Sequence, residues 1–264
     1  MRGQKIIGFG ERRSFIISWQ TVADERNILR ASFHQITSNY VLSLVFLLAP
    51  LLTVSTWHLL TIIHLNAIIR FAIRLTSFSL SIYIHCGALA LFYQKVTKVN
   101  GKLRMFNRFV RKYFRLYISA LIGLVAFSFF FFLPFFFFVS RMNWEIIGDN
   151  FEALTIFFVM RQIAILILGM LMTYLTAFVF VKKQGIDAFI NGIKYLLTNF
   201  KKSTPLLLLN AIGCVIVSVI FYIAMQHPIG SPSYLFIVSF ASILTAYINL
   251  AIYVGACLIL TNDN

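Results

Sequence analysis

Acidic residues are scarce in this sequence: eight Asp and Glu stand against 23 Lys and Arg in 264 residues, and only 12% of the chain is charged. A soluble domain carries roughly 25% charge. None of the eight acids falls inside an apolar run long enough to cross a bilayer, whereas proton- and cation-coupled transporters commonly place Asp or Glu at membrane depth. A carboxylate-driven pump is therefore disfavoured. Cysteine is scarcer still: Cys86, Cys214 and Cys257 lie in apolar runs without C-x-x-C spacing, which suggests neither a disulfide framework nor a zinc site. His58 and His64 are six apart with no Cys, Asp or Glu beside them, the wrong spacing for two ligands on one helix face. G-x-S-x-G, G-x-x-x-x-G-K-[ST], H-E-x-x-H and G-x-G-x-x-G are all missing. The nucleophile, phosphate, metal and dinucleotide signatures thus have no representative, so no catalytic residue, metal or cofactor is assigned. Residues 1–39 lack the apolar core of a signal peptide, and this segment is expected to be retained.

What the chain does have is apolar residues: 60% of the total, with 29 Phe and a mean hydropathy of +0.86. A globular core of this length cannot bury so much. Six stretches approach the roughly 20 residues needed to cross a hydrocarbon core of about 30 Å: 40–62, 75–93, 116–139, 156–181, 203–225 and 234–260. In lipid they must be helices, because each backbone polar group has to find its partner within the segment. The alternating ten-residue strands of a membrane barrel are not present. The expected fold is an all-α, polytopic membrane protein: an N-terminal segment 1–39 followed by a six-helix domain, 40–264.

The distribution of cations orients it. Of the 23 Lys and Arg, 19 lie in the N-terminal segment, in 94–115 and in 182–202. The other side holds Arg70, Arg74, Arg141 and, just inside the fourth span, Arg161, with Glu145, Asp149 and Glu152. The positive-inside rule puts both termini in the cytoplasm. The outer loops are short, about 12, 16 and 8 residues. A net charge of +15 calls for an acidic neighbour. Cations flanking apolar spans point to anionic lipid, at about 1 kcal/mol each, and away from nucleic acid.

Each basic segment also carries an apolar stripe at helical spacing. Ile186, Phe189, Ile190, Ile193, Leu197 and Phe200 form one; Leu103, Phe106, Val110 and Tyr113 a second; Val22, Leu29, Phe33 and Ile36 a weaker third. Basic amphipathic helices lie in the headgroup plane. The order is then an interfacial elbow helix and two spans, three times over. Aligning Phe33, Val110 and Ile193 places Tyr40, Tyr117 and Phe200 seven residues further on in each unit. This predicts three parallel repeats, unlike the inverted repeats of many secondary transporters.

The carboxy-terminal third carries a resemblance. Gln184-Gly185-Ile186, Asn199, Pro205, Leu206-Leu207, Gly230, Ser242 and Ala246-Tyr247 resemble the YciC-like family of bacterial inner-membrane proteins, and are similar to the membrane domain attached to some glycerophosphodiester phosphodiesterases. Leu133-Pro134 sits where that family has a Pro-containing span, although Phe135 replaces the Gly usual at the next position. The resemblance implies a fold and a bacterial inner-membrane location. It does not extend to phosphodiesterase activity, because no such domain is attached.

Two sets of residues are candidates for contact with a ligand or lipid. Arg161 falls near the outer end of its span, where it either snorkels toward Asp149 or Glu152 or holds a phosphate or other anion, and Arg70 and Arg74, four apart on one helical face, either join it at that interface or form a plain solvated helix end. His85, Asn210 and Asn249 fall in the inner halves of theirs. They either exchange interhelical hydrogen bonds, at about 0.6–2 kcal/mol each, or line a site for a small molecule or lipid headgroup. The tract Phe127 to Phe138 holds nine Phe around Pro134 and reads as a bulky lipid-facing surface. The leading functional expectation is a non-catalytic envelope protein acting through lipid contacts, another membrane protein or a second copy of itself. The alternative is a transporter or permease component for a lipid or small anion.

Overall fold

Leu, Ile, Phe and Ala runs without free backbone partners fold as helices, and every regular element among the described residues is helical. The computed structural model describes residues 28–63, 66–97, 103–140, 162–228 and 230–263. The helices are α1 (Ile28–Ser38), α2 (Tyr40–Ile62), α3 (Ala67–Val96), α4 (Phe106–Ser140), α5 (Leu175–Val181), α6 (Asp187–Thr198), α7 (Phe200–Ala224) and α8 (Pro232–Asn262). A 3-10 turn at Leu103–Met105 leads into α4. α5 closes a longer span, Gln162–Val181, that turns at 172–174. Six helical segments are long and apolar enough to cross a membrane. The protein is therefore an all-α chain of multi-pass character.

Two expected boundaries move. The second span starts at Ala67 and not near residue 75, because Asn66 caps it, its side-chain oxygen accepting from the Ile68 amide at 3.0 Å. Arg70 and Arg74 ride on this helix, four residues apart. The second elbow is not a separate helix either. Residues from Phe106 run without a break through Pro134 to Ser140.

The reason lies in the elbows that do break. At Asn39 the backbone leaves the helical region (φ −115°, ψ 43°), and at Asn199 it does the same (φ −118°, ψ 38°). Each Asn amide donates back to the carbonyl four residues earlier, Gln35 at 2.8 Å and Tyr195 at 3.2 Å. Each also donates to the preceding hydroxyl, Ser38 or Thr198. Ser43 and Ser203 then donate to the Asn carbonyls from the next helix. Exposure along 31–40 and 191–200 has the same order, residue for residue. In this register the position between them is Leu116, which has no side-chain donor for the terminal carbonyls, and the helix continues.

The three elbow-plus-hairpin units close in a ring. Each first span packs on its own second span: α2 on α3, α4 on α5, α7 on α8. Each elbow rests on the second span of the unit before it. The start of α4 lies on α3, with the Phe106 ring over Gly87 and Tyr83 Oη donating to Asn107 at 2.9 Å. α6 lies on α5, with Gly192 against the Tyr174–Leu175 backbone. α1, from the first unit, closes the ring on α8 of the third, where Ser32 and Ile28 meet Gly255.

The three second spans α3, α5 and α8 meet one another at the centre. Residues 86–92 and 250–260 are buried throughout, as are 177–180. Tyr253 Oη donates to the Leu89 carbonyl at 2.8 Å, and the Phe180 ring stands edge-on to Tyr253 with centroids 5.8 Å apart. Away from this centre, α2 and α3 are joined by hydroxyls: Ser77 Oγ donates to Thr56 at 3.0 Å and Ser81 Oγ to the Ala49 carbonyl at 3.1 Å.

The end of α8 is tied to α6 and α7 of its own unit by charge and a hydrogen bond. Lys202 Nζ sits 2.8 Å from Asp263 Oδ1, and Tyr195 Oη donates to the other carboxylate oxygen. Burial pulls the Asp263 pKa upward, but hydrogen bonds from Lys202 and Tyr195 outweigh it and hold the group below the ordinary carboxylate value. Burial and the same carboxylate push the Tyr195 phenol up. A carboxylate held low contributes stability above the ordinary Asp value of about 3.9 and loses it as pH falls through the lowered value. Acidification below about pH 4 is thus expected to lower the thermal midpoint in detergent. Asp263→Asn should start lower at neutral pH and decline less steeply with acid.

Candidate functional site

The ring is not equally tight at every seam. α2 lies along α8, and α4 packs on α3. Between the third unit's first span and the second unit's last, the walls part around a cavity of about 670 Å³, within the roughly 300–1,000 Å³ range of small-molecule sites. Its sides are α4, the span Gln162–Val181, α7 and α8, and it reaches Phe46 of α2 and His85 of α3. Gly169 and Asn210 meet across the seam: a Cβ on Gly169 would stand 2.8 Å from the Asn210 amide nitrogen. A second hollow of about 360 Å³ lies between the same two spans, and Gln162, Cys214 and Ser218 wall both. Ile163, Val215, Val219 and Tyr222 line this outer hollow and are exposed on the surface of the bundle.

The lining is mostly apolar, from Leu121, Ile165, Met172, Val217 and Phe221 among others, with a neutral polar set distributed through it. That set comprises His85, Gln162, Thr173, Thr176, Asn210, Ser218, Thr245 and Asn249. Among the described lining residues there is no Lys, Arg, Asp or Glu. Several hydroxyls are already engaged by their own helices: Thr173, Ser218 and Thr245 each donate to the carbonyl four residues earlier. His85 Nδ1 is 3.1 Å from the Ser81 carbonyl. A carbonyl can only accept, so Nδ1 carries the proton and a neutral ring keeps Nε2 as an acceptor. The ring is held edge-on by Phe46, with centroids 4.7 Å apart. Asn210 Nδ2 is buried and has no partner.

The structure therefore brings His85, Asn210 and Asn249 to one wall system, and no hydrogen bond among the described residues joins the three. Arg70 and Arg74 are not brought to it. Arg74 stacks over the Trp57 ring at 3.9 Å, and its Nε is buried without a partner. Arg70 lies one turn earlier on α3, and neither lines the cavity. Arg161, His64, Arg141, Glu145, Asp149 and Glu152 fall outside the described residues, as does the 22–27 part of the first stripe. The His58 and Pro134 side chains do too.

Gly185, Asn199, Pro205 and Gly230, residues of the resemblance, fall at turns or near helix starts. Gly185 lies where a Cβ would come within 3.0 Å of Ser119 Oγ, so the loop before α6 rests directly on α4. Gly230 has φ +87°, a left-handed backbone that favours glycine, in the turn before α8. Pro205 is the sixth residue of α7, where the missing amide is the one that would reach the Lys201 carbonyl. Gln162, Thr173, Thr176, Ser218 and Thr245 are lining residues that sequence reading did not single out. Their one legible signal was hydroxyl and amide groups inside apolar spans that also hold Asn210 and Asn249. No family model matches the chain, and no curated protein or solved structure is similar to it.

Proposed function

We propose that this chain is a bacterial inner-membrane protein related to the YciC-like family, with both termini cytoplasmic, that works without catalysis by associating with lipid. The observation that carries this reading is α6. Its buried side, with Ala188, Phe189, Gly192 and Leu196, packs on the bundle, yet Ile186, Ile190 and Leu197 stay exposed alongside Lys194 and Lys201. Apolar side chains turned outward beside cations suit a helix lying among anionic headgroups. The partners are membrane lipids, anionic on the cytoplasmic side, with a second copy or another membrane protein as further company. A permease for a small anion is less well supported, since the described cavity wall has no cation and the two arginines of α3 stand apart from it.

The test is native mass spectrometry of the protein released gently from its own membrane. Retained anionic phospholipid is expected. Changing Lys182, Lys183, Lys194 and Lys201 to Gln removes four charges at about 1 kcal/mol each, weakening the preference for anionic lipid by roughly a thousandfold. Lys202 is spared because it holds Asp263. A wild type without anionic lipid, or a quadruple variant that keeps all of it, would overturn the reading.

A further inference from the structure

Three features of the cavity bear on what enters it. Its described lining is electrically neutral, although the chain carries a net charge of +15. A phosphate or carboxylate brought into such a wall would lose its water without gaining a counter-charge, and burial of an unpaired ion is strongly unfavourable. The wall also holds unused hydrogen-bonding capacity: the buried Asn210 Nδ2 lacks an acceptor, and His85 presents an acceptor to whatever reaches Nε2. A cavity that were simply packing waste would be apolar and dry. Finally, it adjoins the outer hollow between the span Gln162–Val181 and α7, whose far wall is the exposed apolar surface. A tail can pass there without crossing water.

We propose that this cavity is a binding site for an uncharged amphiphile, a hydroxyl- or ester-headed lipid with one apolar chain, admitted sideways from the bilayer between Gln162 and Ser218. The proposal rests on the membrane reading above and names the ligand class of that same protein. The head's oxygen accepts from Asn210 Nδ2, and its hydroxyl donates toward His85. The chain lies along Leu121, Ile165, Val217 and Phe221.

The experiment uses the full chain in phosphatidylcholine nanodiscs containing a monoacylglycerol with a photoactivatable diazirine in its acyl chain, and in parallel the same chain on a phosphate head. The glycerol-headed probe is expected to label peptides covering 162–176 and 210–221 at least tenfold more than the phosphate-headed one. Asn210→Leu is expected to reduce that labelling at least tenfold without lowering the thermal midpoint, because it removes an orphaned polar group. Ser218→Trp, at the shared wall of the two hollows, is expected to do the same by obstruction. Equal labelling by both probes, labelling confined to other peptides, or labelling that survives both variants would overturn the proposal. The lipid-association reading fails separately, in the absence of retained anionic lipid, and that result does not depend on the cavity.

Discussion

Replacing Gly255 by valine is expected to destabilise the protein by about 3 kcal/mol, the upper end of what overpacking a core usually costs. A Cβ there would stand 2.6 Å from a Leu206 methyl and 2.9 Å from Ser32 Oγ. Both neighbours are fully buried, and the whole stretch 250–260 is closed in around them. Nothing at that joint has room to give, so α1 must lift from α8. The equivalent change at Gly87 makes an instructive contrast. Its added Cβ would meet the Phe106 ring at 2.1 Å, a closer approach on paper. That ring is only half-buried at the start of α4 and can swing outward, so Gly87→Val is expected to cost about 1 kcal/mol. Unfolding in mixed micelles, monitored by circular dichroism, measures both. Equal losses at the two sites would show that the joints are set by something other than the burial of their neighbours.

The second large effect is expected at Phe180. It is fully buried, and its ring meets Tyr113 at 5.2 Å, Tyr117 at 6.0 Å and Tyr253 at 5.8 Å. Truncating a buried Phe to Ala typically costs about 3–5 kcal/mol, through lost contacts and the void left behind. Phe180→Ala is expected to lie in that range in the same unfolding assay, with Phe180→Leu recovering more than half of it. A loss under about 1 kcal/mol would mean that the three tyrosines collapse into the space without penalty. The aromatic centre would then be filling rather than fastening.

Sequence patterning made the six spans and the repeat register legible because both depend on local physics, namely hydrophobic length and the recurrence of apolar positions. The first span runs over residues 40–62 as expected. Phe33 and Ile193 do occupy equivalent positions, down to the hydrogen bonds of Asn39 and Asn199. The missing break in the second unit was in principle readable too, as Leu116 in the place of an Asn, but only once the Asn residues were known to make the break. The second helix was expected to start near residue 75 because a hydropathy threshold stops at charge, whereas Asn66 starts a helix whether or not the next turns carry cations. For the cavity, polar residues inside apolar runs pointed to His85, Asn210 and Asn249, which line its wall. What periodicity does not encode is which seam of a ring stays open. The parting of α7 from the span Gln162–Val181 depends on side-chain volumes summed across four helices.

The ring closure between α1 and α8 has a consequence for how the chain is made. Ser32 and Gly255 are separated by nearly the whole described sequence, so at about 5–20 residues per second the ribosome delivers the second partner tens of seconds after the first. Throughout that interval the α1 face bearing Ile28 and Ser32 has no permanent mate, while hairpins such as α2–α3 are already complete. The last unit therefore acts as a clasp. Any defect that delays insertion of α8 leaves the first elbow exposed to quality control, even when every earlier helix has inserted correctly.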